Sequence, residues 1–166
     1  MFSLFRSQHN RSRDAMITAI DSVQAVIEFK PDGTIVGANK NFLNALGYSL
    51  EEIRGQHHSM FVEPEYAKSG DYRLFWDRLS RGEFIGDKFK RLGRGGKEIW
   101  IQASYNPLFD LNGKPFKVVK YATDITQQVN ANNALKLTVD QVLEVVNAAV
   151  AGDLTQSVPM AGKSGM

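Results

Sequence analysis

Two extended runs joined by a tight turn constrain this chain more than any other feature. Lys97 to Thr126 reads KEIWIQASYNPLFDLNGKPFKVVKYATDIT. In the first run Ile99, Ile101, Ala103 and Tyr105 share one face and Trp100, Gln102, Ser104 and Asn106 the other, which is the two-residue period of a strand. Both faces therefore carry large groups. The turn Asp110-Leu111-Asn112-Gly113-Lys114-Pro115 supplies Gly and Pro, and the second run, Phe116 to Ala122, is rich in Val and aromatic residues, so the pair predicts a hairpin. After Asp124-Ile125-Thr126 the pattern changes at once to helix.

Upstream, Val23 to Phe29 (VQAVIEF) reads as a strand, Pro31-Asp32-Gly33-Thr34 as a turn, and Ile35 to Ala38 as a second strand. A helical turn follows in which Phe42, Leu43 and Leu46 make one apolar face and Gly47 suits a left-handed cap. Ser49-Leu50-Glu51-Glu52 is a capping box opening a short helix that stops at Gly55. Gln56 to Lys68 has no clean period and predicts a loop with one helical turn. Between Ser69 and Gly82, Tyr72, Phe75, Trp76 and Leu79 form a wide apolar stripe on a helix. Phe84 to Leu92 is a further strand, turned by Gly93-Arg94-Gly95-Gly96 into the hairpin. At the N-terminus, Ile17 and Ile20 predict a short helix over Asp14 to Ile20. The order is two strands, helices, then three strands, an α+β chain with a five-stranded antiparallel sheet and helices over one face.

Composition narrows the function classes. A net charge of +2 on 166 residues gives no basis for nucleic-acid binding, and no arginine-rich, aromatic-interleaved strip supports it. The absence of Cys excludes disulfides, thiolate metal sites and covalent haem attachment through cysteine. No apolar run approaches the ~20 residues that cross a bilayer, and the start MFSLFRSQHNRSR lacks the apolar core of a secretion signal. A cytoplasmic location is the expectation. Catalysis is not expected: no HExxH, phosphate-binding Gly loop or nucleophile elbow occurs, and the adjacent His57 and His58 cannot easily face one metal.

The hairpin pattern W-I-x-A-x-Y-N-P-x-x-D-x-x-G-x-P, closing in K-Y-A-T-D-I-T, and the upstream pattern A-N-x-x-F-x-x-x-x-G-Y-S-x-E-E-x-x-G resemble the two halves of a PAS sensor domain. The version is that attached to methyl-accepting chemotaxis proteins, similar to aerotaxis-type receptors, and the resemblance spans about Asp21 to Thr126. It implies the PAS fold, a structural role for Asn39 between strand end and helix, and a planar-ligand pocket walled by Trp76, Phe89, Trp100 and Tyr121, with His57 and His58 beside it. FAD is the first cofactor it implies and b-type haem the second, with a cofactor-free or metabolite-binding domain also open. Where the FAD-binding relatives have Arg-His-Pro-Asp this chain has Val62-Glu63-Pro64-Glu65, and at the positions of the haem-ligating His and gas-stabilising Trp it has Val62 and Ala122. Asp124 and Thr126 match the D-x-T motif that couples the sheet to the outgoing helix.

Beyond Thr126, Leu135, Val139, Val142, Val146 and Ala149 alternate in spacing as a coiled-coil seam, and Asn132 and Gln128 extend it backwards. Residues 127–150 are thus expected to form a signalling helix pairing with a second copy. Residues 151–166, opening with Ala151-Gly152-Asp153-Leu154-Thr155, resemble the start of a HAMP-like connector, so the chain is expected to stop short of an output module. Residues 1–20 are assigned to a leader or cap helix and 21–126 to the sensor domain. The implied function is sensing of redox state, oxygen or a small ligand, relayed through a homodimer's helices to a chemoreceptor signalling domain with its histidine kinase and coupling protein. The alternative is a cofactor-free module that pairs PAS domains.

Overall fold

The computed structural model describes residues 2–150 and 152, with side chains from residue 11 onward. Helix α1 (Phe2–Val23) leads into strands β1 (Ala25–Phe29) and β2 (Ile35–Ala38). Four short helices follow: α2 (Lys40–Leu46), α3 (Leu50–Ile53), α4 (Pro64–Ala67) and α5 (Gly70–Ser80). Strands β3 (Ile85–Leu92), β4 (Glu98–Phe109) and β5 (Pro115–Asp124) complete a five-stranded antiparallel sheet in the order β2-β1-β5-β4-β3, and α6 (Thr126–Val150) follows. One compact unit ends at Ile125 and a second begins at Thr126.

The two-residue period of β4 sets the sheet's inner face. Ile99, Ile101, Ala103 and Tyr105 are all buried. Pairing then carries the inward series across the sheet: Tyr105 faces Lys120 of β5, which faces Ile27 of β1, while Ile101 faces Phe89 of β3. Trp100, Gln102 and Ser104 project from the opposite face. The apolar stripe of α5 closes on the inner face, with Tyr72, Phe75, Trp76 and Leu79 all buried, and Phe42 and Leu46 of α2 join the same core.

Local signals hold where backbone chemistry dictates them. Gly47 ends α2 at φ 78° and its N–H bonds Leu43 O, while Ser49 and Glu52 form the reciprocal capping box of α3. Two expectations need correction. The N-terminal helix extends well beyond residues 14–20, because no Gly or Pro interrupts the chain before Val23. The segment after Gly55 holds two helical turns: a 3₁₀ turn at His58–Phe61 capped by the His57 side chain, and α4, which starts on Pro64, where the missing N–H costs nothing. The residues assigned to a HAMP-like connector lie outside the described residues except for Gly152.

Asn39 joins three segments. Its Oδ1 accepts from Val26 N at 3.0 Å and Phe42 N at 2.9 Å, and its Nδ2 donates to the Asp21 and Gln24 carbonyls at 3.0 and 2.8 Å and to the Asp21 carboxylate at 2.9 Å. One amide thereby caps α2, fixes the start of β1 and ties down the end of α1. Asn39→Ala is expected to cost about 1–3 kcal/mol in urea denaturation, as several polar groups lose partners at once. Asn39→Asp, which keeps the two accepted bonds but sets a carboxylate against Asp21, should recover only part of the loss.

Candidate functional site

The interior is organised around His58, which is fully buried. Its Nδ1 lies 2.9 Å from the Tyr72 hydroxyl on α5, and its Nε2 lies 3.0 Å from the Tyr105 hydroxyl on β4. Arg91 of β3, itself 4% exposed, donates from Nη2 to the Tyr105 oxygen at 3.1 Å. Guanidinium only donates, and its bond to the Tyr105 oxygen polarises that hydroxyl toward donating in turn; the cooperative arrangement has the Tyr105 O–H donating to Nε2 and the Nδ1–H donating to Tyr72. The chain Arg91, Tyr105, His58, Tyr72 thus spans two strands, the 3₁₀ turn and α5, and assigns His58 a neutral Nδ1–H tautomer.

Electrostatics favour the same state. Burial first, then the positive charges of Arg91 and Lys120, hold the His58 pKa well below 6.5, and burial raises both tyrosine pKa values so that the hydroxyls keep their protons. An unfolded chain takes up a proton on this ring near pH 6.5 where the folded one does not. The stability that neutral His58 contributes is therefore present above that pH and lost as pH falls below it, by at most about 1.4 kcal/mol per pH unit.

Beside this network lies a partly open cavity of about 180 Å³ between α2 and the inner face of β4 and β5. Phe42, Ala45, Leu46, Phe61, Ile101 and Ala122 give it an apolar lining, Val23, Thr123 and Asp124 stand at its exposed end, and Arg91 and Lys120 contribute charge. Lys120 is 1% exposed, with its ammonium 5.0 Å from the Tyr105 ring centre and 5.6 Å from that of Phe42. Burial, then the neighbouring Arg91, lowers its pKa well below 10.5.

The residues expected to bind a cofactor are dispersed. Trp76 packs in the core with its ring centre 5.4 Å from those of both Phe29 and His58, and Phe89 packs 5.6 Å from Tyr105 with the Arg91 guanidinium 4.6 Å from its own ring centre. Trp100 and Tyr121 stand on the opposite face of the sheet, as their register with Lys90 and Ser104 requires. His57 is half-buried; its Nε2 donates to the Asp32 carbonyl at 2.9 Å and its Nδ1 accepts from Ser59 N at 3.1 Å. This contact explains Gly33, at φ 86°: a Cβ there would sit 2.5 Å from His57 Nε2 and 2.9 Å from the Trp76 ring. His57 and Trp76 border an open groove with Asp32, Arg73 and Asp77, and none of the six residues lines the cavity.

Both ring nitrogens of His57 and of His58 are already hydrogen-bonded, so neither offers iron a free imidazole nitrogen. A cavity of ~150 Å³ accommodates a single benzene ring; a three-ring flavin or a porphyrin exceeds the interior cavity of about 180 Å³. The interior cavity fits neither group. The site residues that sequence reasoning passed over are Arg91, Lys120, Tyr105 and Tyr72. Their signal was parity: Lys120 shares the inward face with Val118 and Ala122, and Arg91 with Phe89.

Residues 35–122 match the family described as the PAS fold. The chain belongs to the PAS family. Among curated relatives, it is 44% identical to biofilm dispersion protein BdlA of Pseudomonas aeruginosa over 124 residues, covering 75% of this chain and 30% of that protein. It is 31% identical to the Aerotaxis receptor of Escherichia coli over 74 residues, 45% of this chain and 14% of the receptor, and 29% identical to the Oxygen sensor protein DosP of the same species over 130 residues, 76% and 16%. It therefore spans less than a third of each of these relatives. The crystal structure of a PAS domain from Colwellia psychrerythraea superposes with a TM-score of 0.59 at 23% identity, covering 69% of this chain and 97% of that one. An RNA-binding Light-Oxygen-Voltage receptor gives 0.63 at 17%, covering 80% and 38%, and shares the fold. Among the described residues no helix is long and apolar enough to cross a membrane, and no cluster of His, Asp and Glu suited to a metal ion occurs.

Tyr105→Phe keeps the ring contacts of this PAS core but leaves His58 Nε2 without its donor and Arg91 Nη2 without its acceptor. It is expected to lower stability by about 1–3 kcal/mol, read as a lower urea midpoint with an unchanged m-value.

Proposed function

We propose that this chain is the sensory module of a chemotaxis-type transducer, in which occupancy of the interior cavity by a small ligand alters β5 and the helix that follows it. The observation that carries this reading is continuity. Lys120, Ala122, Thr123 and Asp124 of β5 border the cavity, and the chain passes from Asp124 through Ile125, whose N–H bonds Trp100 O at 2.8 Å, directly into α6. A ligand that prefers one arrangement of this strand end biases the helix by that difference in affinity. Asp124 and Thr126 are the coupling residues. The names of the relatives, an Aerotaxis receptor and an Oxygen sensor protein, support a sensory rather than catalytic role.

Redox or oxygen sensing requires a chromophore, and the filled interior favours a colourless ligand instead. Downstream, the module acts in the cytoplasm through a chemoreceptor signalling domain and its histidine kinase and coupling protein. Leu135, Val139, Val142 and Val146 of α6 are all exposed, which supports pairing of that helix with a second copy. The same seam favours the second reading, a PAS pairing module without a ligand.

The native chain has no cysteine, so helix pairing can be read by cross-linking. Val142→Cys is expected to form a disulfide between copies under mild oxidation, and Glu144→Cys to do so far more slowly. Loading the cavity should change the Val142→Cys rate, and Asp124→Ala should abolish that change even at ligand concentrations that calorimetry shows to saturate the variant. A rate unaffected by a bound ligand would favour the pairing module. Flavin or Soret absorbance in the purified chain would return the assignment to a redox or gas sensor.

A further inference from the structure

Two buried cations line the cavity. Arg91 and Lys120 are 4% and 1% exposed, and neither takes part in a salt bridge among the described residues. Arg91 uses Nη1 on the Lys90 carbonyl at 2.7 Å and Nη2 on Tyr105, but its Nε is buried without a hydrogen-bond partner. The Lys120 ammonium lies over the rings of Tyr105 and Phe42. The nearest cavity-lining carboxylate in sequence, Asp124, belongs to the exposed end of the lining.

Burying one unpaired cation is costly, and two side by side repel each other as well. A well-packed apolar pair would make a more stable core. The arrangement becomes favourable once a counter-charge enters between the two side chains, where low polarity strengthens the attraction. The buried walls Phe42, Phe61, Leu46 and Ile101 are apolar, and the polar residues Asn41, Thr123 and Asp124 complete the lining, so the charged end of a ligand is best attached to an apolar body. The volume, about 180 Å³, is that of a single ring or a short branched chain.

We propose that this cavity is a binding site for a small monocarboxylate with an apolar body, its carboxylate held by Lys120 beside Arg91. The assignment rests on the sensory reading of the same cavity and adds to it the chemical class of the ligand.

The test is calorimetry on the full chain with sodium benzoate and sodium isovalerate, against benzyl alcohol as a neutral probe of benzoate's size and sodium chloride as a salt control. At least one carboxylate should bind one to one, roughly tenfold or more tighter than benzyl alcohol. Lys120→Met, which removes a buried charge at nearly constant volume, should fold with an equal or higher thermal midpoint yet lose at least tenfold in carboxylate affinity. Ala45→Leu, which fills the cavity without changing its charge, should abolish binding of both probes. The proposal is overturned if benzyl alcohol binds as well as benzoate, if Lys120→Met keeps full carboxylate affinity, if Ala45→Leu still binds, or if neither carboxylate binds at millimolar concentration. Cross-linking of Val142→Cys separates this outcome from the sensory reading. Carboxylate binding with an unchanged rate upholds the site and removes the relay, whereas a neutral ligand that alone binds and changes the rate keeps the relay and removes the anion site.

Discussion

A neutral imidazole held at both nitrogens is the constraint on which the rest of this domain depends. His58 reaches α5 and the sheet together, and each of its bonds joins elements far apart in sequence, to Tyr72 and to Tyr105. Apolar packing alone would leave α5 free to slide along the inner face, since dispersion and burial have little directional preference. Two directed bonds, one donated and one accepted, fix its position. The aromatic rings then have one set of places to occupy: Phe75 stands edge-on to Tyr105 at 4.9 Å, Trp76 against Phe29, and Phe89 beneath Arg91.

The same network sets the character of the cavity next to it. Arg91 reaches the interior because Tyr105 gives it an acceptor, and in doing so it adds to the charge beside Lys120. Filling the centre with His58 and its tyrosines also removes the volume a broad planar cofactor requires. A domain so arranged is suited to a compact ligand recognised by charge, entering beside the strand that runs into α6. The sensory reading and the anion site are thus two consequences of one arrangement of side chains.

Much of the fold was legible because backbone chemistry is local. The period of Ile99 to Tyr105, the Gly47 cap, the Ser49 capping box and the α5 stripe each follow from residues a few positions apart. The site was less legible, for two reasons. His57 and His58 look equivalent in sequence, and only contacts with residues as distant as Tyr105 separate a loop clasp from the centre of the core. Trp100 and Tyr121 suited a planar ligand by type, yet their parity, out of phase with Ile101 and Ala122, already placed them on the other face. Parity also placed Lys120 and Arg91 inward, a position at odds with their charge. A charged residue in phase with an apolar series was the more informative signal, and aromatic content the less informative one.

The most direct test of this account is nitrogen NMR of the His58 ring in the full chain, assigned by comparison with His58→Gln and followed from pH 8 to 5. The account predicts a single neutral Nδ1–H tautomer that does not titrate near 6.5 and persists until the protein begins to unfold. An imidazole that protonates near pH 6.5 in the folded protein, or that carries its proton on Nε2, would contradict it.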